Sequence, residues 1–141
     1  MSEHIQAVRE AMQKALDTFR PQAKTVTLQI PGPGWEEFPL FVGAPVFWRR
    51  EETTRGRLVR FRAFGPCSMG PHFHDTPEVI IADKGVINIT VNGSPRTLVP
   101  GETYTAQRHE LHSAQLSGAG EALAHWTDQE TDQIDVSYFP P

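Results

Sequence analysis

Most of this chain alternates apolar and polar residues over short runs, the period-two pattern of half-buried β-strands. Lys24-Thr25-Val26-Thr27-Leu28-Gln29-Ile30 is the first such run. From Arg57 to Phe64 the alternation sets Leu58, Arg60, Arg62 and Phe64 on one face and Val59, Phe61 and Ala63 on the other. Val79-Ile80-Ile81-Ala82 is apolar throughout, and Val86 to Val91 returns after a turn at Asp83-Lys84-Gly85. Asn92-Gly93 then predicts a type I′ hairpin. Arg96 to Leu98, Thr103 to Ala106, Leu111 to Leu116, Ala122 to Thr127 and Ile134 to Phe139 read as further strands, with turns at Pro100-Gly101-Glu102 and at Ser117 to Gly120. Trp35 to Trp48 is aromatic and broken by Pro39, Gly43 and Pro45, which predicts short strands between loops, and Gly65 to Pro71 reads as a loop. The exception is residues 2–20, where Ile5, Val8, Met12, Ala15, Leu16 and Phe19 recur at three- and four-residue steps after the N-cap candidate Ser2, a helix that Pro21 ends. Roughly eight to ten short strands with one helix argue for an all-β closed barrel or jelly roll.

Composition narrows this picture. A chain of 141 residues is one domain by length. Twelve prolines and eleven glycines suit a turn-rich β chain. A net charge of −4 and a pI near 5.8 give no reason to expect nucleic acid or an anionic membrane as partner. No apolar run approaches the ~20 residues of a bilayer span, and the N-terminus lacks a signal-peptide apolar region. Cys67 is the only cysteine, which permits no internal disulfide and suits a cytoplasmic location. It reads as a small buried residue.

The candidate chemistry lies in His72-Phe73-His74-Asp75-Thr76-Pro77-Glu78. These two histidines and the glutamate share even parity, so one extended face, or the loop before it, can aim two imidazoles and a carboxylate at one point. Such a set binds iron, zinc or manganese, and His112, beyond the hairpin, is a fourth candidate. Arg60 and Arg62, if their strand face looks inward, can fork onto an anionic substrate. They are candidate substrate-binding residues together with Tyr104, which, like Trp126 and Phe64, also reads as barrel lining. His109 is a neighbour of the site or a surface residue; His4 and His125 read as structural or exposed.

The spacing His72-x-His74-x3-Glu78-x6-Gly85 resembles the first signature of the cupin superfamily. A worn second signature runs from Gly101 to His112, with Gln107 where proline is usual, His109 where glycine is usual and Leu116 where asparagine is usual. Gly65 stands one residue too far from His72 to match the first signature's leading glycine. The resemblance covers about residues 57 to 127. It implies a small single-domain cupin: residues 1–22 a helix packed on the barrel or on a partner subunit, and residues 23–141 one double-stranded β-helix (jelly-roll) barrel. It implies one divalent transition metal (Fe, Mn, Ni or Zn, with Fe favoured) held by His72, His74, Glu78 and His112. Glu78 is in addition a candidate catalytic base. The function expected is a metal-dependent enzyme, an Fe(II)-type dioxygenase acting on a small organic molecule. The alternatives are a non-oxidative isomerase or lyase on the same ligands, or a non-catalytic small-molecule binding or sensing cupin. A homodimer is expected on the resemblance alone.

Overall fold

The computed structural model describes residues 2–19, 23–54, 56–126 and 132–139. Helix α1 (Ser2–Phe19) is followed by thirteen strands among the described residues. These are β1 (Lys24–Gln29), β2 (Glu36–Glu37), β3 (Val42–Gly43), β4 (Val46–Thr53), β5 (Gly56–Ala63), β6 (Cys67–His74), β7 (Glu78–Lys84), β8 (Ile87–Val91), β9 (Ser94–Leu98), β10 (Thr103–Ala106), β11 (His112–Leu116), β12 (Gly120–Trp126) and β13 (Gln133–Tyr138). They form two antiparallel sheets. The first runs β1-β13-β6-β11-β8-β9, with β3 also beside β6, and the second runs β10-β7-β12-β5-β4-β2. This is the jelly roll that the strand pattern predicts, with the core between the two sheets.

Two stretches differ from the sequence expectation. Arg49 to Thr53 is a strand despite its charge, because Arg49 and Glu51 lie on the outer face, where Glu51 meets Arg60 of the adjacent strand. The expected loop Gly65 to Pro71 is in large part strand β6. Its burial runs buried–exposed from Cys67 to Met69, shows two exposed residues at Gly70 and Pro71, and resumes with His72 and His74 buried. Opposite this point the pairing with β11 slips between His112 and Ala114. The extra residue is a β-bulge, which also gives Pro71, lacking an N–H, a place within an inner strand. The bulge changes the parity of the strand, so that Cys67 and Met69 before it and His72 and His74 after it all point inward.

The core is aromatic at one side. Phe38, from the loop after β2, meets Trp48 and Phe61 edge to face at centroid distances of 4.9 and 5.2 Å, and Phe61 meets Trp126 at 6.4 Å. Such pairs add roughly 0.5–1.5 kcal/mol each beyond their buried area. Ile87 and Ile89 of β8, with Ile134 and Val136 of β13, face them from the first sheet. Phe64 is not barrel lining. Arg60 and Arg62 of β5 point outward, and Phe64, on the same parity just beyond the strand, is exposed and packs on Phe47 instead. On α1, Ile5, Val8 and Met12 are exposed, while the side chains of Ala15, Leu16 and Phe19 lie outside the described residues. The hairpin glycine Gly93 and Asn92 both have positive φ, 85° and 48°, as a type I′ turn requires.

Gly85 turns β7 into β8 at φ +74°, and a Cβ there would stand 2.7 Å from the Ala119 carbonyl oxygen. Left-handed backbone and backbone contact act together, so Gly85→Ala is expected to cost about 2–4 kcal/mol. Gly32→Ala, in open space, is expected to change stability by less than about 0.5 kcal/mol. Denaturant titration of both variants checks this; equal stabilities would contradict it.

Candidate metal centre

His72 and His112 stand directly opposite each other on the adjacent strands β6 and β11, which brings their ring centroids to 4.2 Å. His74, two residues along β6, lies 5.9 Å from His72 and 5.0 Å from His112, centroid to centroid. Glu78 belongs to the other sheet. The corner Asp75-Thr76-Pro77 carries the chain across, and β7 begins with Glu78 aimed back at the histidines. Its Oε1 lies 3.3 Å from His74 Nε2 and 3.7 Å from His112 Nε2. One ligating atom of each histidine falls within 4.8 Å of the others, and all four side chains are buried.

The backbone sets the proton on each ring. His72 Nδ1 lies 2.9 Å from the Gly70 carbonyl, His74 Nδ1 2.9 Å from Thr76 O, and His112 Nδ1 2.8 Å from Glu110 O. A carbonyl oxygen only accepts, so each Nδ1 carries the hydrogen and each Nε2 presents a lone pair. Metal-binding histidines commonly hold the far ring nitrogen against an acceptor in this way, and here each acceptor is a carbonyl two residues from its ring. Burial, reinforced by the neighbouring His112, pushes His72 down to about 3, so its ring is neutral at physiological pH. For His74, burial acts downward but is outweighed by the Glu78 carboxylate, and the net shift is upward. Burial would raise the Glu78 carboxyl; the His74 and His112 rings beside it outweigh this and hold Glu78 below the usual carboxylate range.

A metal fits this donor set. The Nε2 atoms of His74 and His112 are buried without a hydrogen-bond partner among the described residues. One proton shared by His74 and Glu78 satisfies that pair and leaves the lone pairs of His72 and His112 facing each other. A divalent cation satisfies all four at once, and three imidazoles with one carboxylate are ordinary ligands for iron, manganese, nickel or zinc.

Beside the site lies a cavity of about 100 Å3, lined by His72, Glu78 and His112 and otherwise by carbon. Sequence reasoning missed this lining. Its signal is the pair Ala122 and Ala124, small residues alternating on the inner face of β12 as Ala63 does on β5. The substrate candidates lie elsewhere. Arg60 is held outside the barrel by Glu51 at 3.0 Å, Asp83 at 2.6 Å and Glu121 at 3.2 Å. Arg62 lies 3.6 Å from Glu121 and stacks on Trp35, which Arg49 also covers. Tyr104 is buried, but its hydroxyl donates to Glu110 and it does not line the cavity; burial and that carboxylate hold its phenol high. The Glu110 carboxylate also accepts the Gln107 N–H, and its carbonyl anchors His112, so Tyr104 touches the site at one remove.

His109 explains the worn second signature. Its φ is +63°, the left-handed conformation for which glycine is the usual residue. Its N–H donates to the His74 carbonyl at 2.9 Å, and its ring meets Asp75 at 2.7 Å, which ties the β10–β11 loop to the corner between His74 and Glu78. His125 lies half-buried on the outer face of β12 and contacts the Arg57 carbonyl, a structural role. Cys67 is buried and its thiol is pushed up by burial.

The jelly roll with its histidine cluster inside the barrel defines the class: the chain has the cupin fold. Solved structures of that fold resemble it in turn. KdgF from Halomonas sp. is 17% identical over 74% of this chain and 84% of its own, with a TM-score of 0.53. An RmlC-like cupin from Shewanella frigidimarina is 14% identical, covering 81% and 93%, with a TM-score of 0.53. A predicted oxalate decarboxylase from Thermotoga maritima is 16% identical, covering 75% and 92%, with a TM-score of 0.52. No protein-family model and no curated protein matches the chain. No helix among the described residues is long and apolar enough to cross a membrane.

Glu121, buried among Arg60, Arg62 and Lys84, anchors the outer cluster. Burial raises its carboxyl, but Lys84 and Arg62 outweigh this and hold it below the usual range. A depressed carboxylate stabilises the fold above its unfolded pKa and ceases to do so as pH falls through the folded one. Glu121→Gln is therefore expected to destabilise by about 1–2 kcal/mol at pH 7. Denaturant titrations repeated at decreasing pH should show the difference from wild type shrinking in acid; a constant difference would contradict the ionic origin.

Proposed function

We propose that this chain is a metal-dependent enzyme in which His72, His74, Glu78 and His112 hold one divalent transition metal, iron(II) foremost, and that it acts as a dioxygenase on a small organic molecule. The observation that carries this reading is the convergence of four buried lone-pair atoms with too few protons to satisfy them. Four protein donors leave one or two positions of a five- or six-coordinate ion open, as turnover requires. The apolar lining of the cavity favours iron and dioxygen over hydrolytic chemistry, because beyond the ligands themselves it offers an attacking water no side-chain partner. When bound, iron(II) supplies the one-electron chemistry by which dioxygen reacts with an organic substrate.

The remaining work falls to the chain itself. The carbonyls of Gly70, Thr76 and Glu110 fix the three rings with their Nε2 atoms inward. Glu78 is ionised at neutral pH and is the one acid among the lining residues, so its carboxylate can take the proton of a substrate enol or hydroxyl. The apolar lining gives water few partners beside the reacting centre. The exposed stripe Ile5, Val8 and Met12 on α1 offers contact area for the homodimer that belongs to this reading.

The test begins with metal content. Protein purified without chelator or affinity tag is expected to carry, or take up on reconstitution, about one metal ion per chain. The His72→Ala/His74→Ala variant should lose it at least tenfold while keeping its circular dichroism. No metal in either state overturns the reading. With iron loaded, substrate-dependent oxygen uptake supports the dioxygenase; turnover that persists without oxygen moves the assignment to a lyase or isomerase on the same ligands.

A further inference from the structure

We propose that the molecule received at this site is a compact hydrocarbon whose only polar atoms are one chelating pair of oxygens carrying at most a single negative charge. The inference rests on the metal reading above and names the substrate class of that same site.

Three observations support it. The first is chemical. The cavity's polar side chains are His72, Glu78 and His112, all committed to the metal, and its wall is otherwise hydrocarbon, with Phe38, Phe41 and Phe61 on one side. A polar group on the far end of a substrate finds no donor or acceptor there, and a buried unpaired charge is strongly disfavoured. The second is electrostatic. A divalent ion with one carboxylate and three neutral imidazoles carries one net positive charge, which a monoanionic chelate neutralises. A second anionic group needs a cation, and none of the described residues lining the cavity is a lysine or arginine; the arginines of β5, a strand that forms part of the wall, are turned outward to Glu51, Asp83 and Glu121. The third is size. At about 100 Å3 the void is somewhat smaller than the roughly 150 Å3 apolar cavity that holds a benzene molecule. The hydrocarbon part that the cavity itself encloses is therefore about a six-membered ring or less, set between the aromatic wall and the small residues Ala122 and Ala124.

A matched pair of probes separates these terms. Catechol and protocatechuate share one chelating head and a ring, and differ by a carboxylate on the far side. Both are titrated anaerobically into the cobalt(II)-loaded full chain, and the d–d spectrum reports binding at the metal. Catechol is expected to bind at least tenfold more tightly than protocatechuate. Ala124→Leu, which fills the cavity away from the ligands, should weaken catechol at least tenfold while cobalt remains bound. Ala114→Leu, on the first sheet, serves the same purpose if Ala124→Leu fails to fold, as judged by thermal melting. Equal or tighter binding of protocatechuate, or cobalt that binds neither probe, overturns the substrate class and leaves the metal site standing. Failure to take up cobalt at all overturns the metal reading, and the inference with it.

Discussion

Three imidazole lone pairs from one sheet and a carboxylate from the other meet inside this barrel, and much of the structure exists to hold them there. Without a cation they are a fault in the core, because buried acceptors lacking donors cost stability. With one they become a cross-link between the two sheets, since a metal satisfies His72, His74 and His112 from the first and Glu78 from the second. The supporting features follow from that requirement. The bulge at Gly70-Pro71 turns His72 and His74 inward. Three carbonyls, each two residues from its ring, fix the tautomers. His109, in a conformation usual for glycine, ties the β10–β11 loop to the backbone of His74.

Much of this was legible in the sequence, though not always for the reason that geometry supplies. Period-two alternation found most of the strands, and Asn92-Gly93 announced a turn that the backbone makes with two positive φ angles. The four clustered residues were all found. Parity alone, however, does not explain their meeting: His74 and Glu78 lie on strands of different sheets, joined by the corner at residues 75–77, and the inward face of β6 depends on the bulge. Strand β6 was hidden by Gly65, Pro66, Gly70 and Pro71, which read locally as loop but are accommodated by pairing with distant segments. Charged β4 was hidden for a related reason, since its partners across the sheet neutralise it. Nothing local says which face of β5 looks inward. Val59, Phe61 and Ala63 take the core, which sends Arg60 and Arg62 out, and only the closed barrel decides between the two faces.

That outward placement of the arginines and the hydrocarbon cavity are two sides of one constraint. A pocket of about 100 Å3 in the barrel interior gives up packing contacts that a filled core would make. Leucine at Ala122 or Ala124 would restore many of those contacts, so the small residues make sense as space kept for an occupant, the usual exchange of stability for function. An arginine in the same space would fill it too, but would pair with Glu78 and compete for the carboxylate that the histidines hold. With Arg60 and Arg62 on the outer face, held by Glu51, Asp83 and Glu121, Glu78 is the one carboxylate among the described residues that line the cavity, and none of them is a lysine or arginine. On the proposed reading, a cation held there would stand beside an apolar wall, where its charge is screened less than in water. The charge network outside and the apolar wall inside thus belong together, and on the proposed reading they would leave recognition to the metal and to shape.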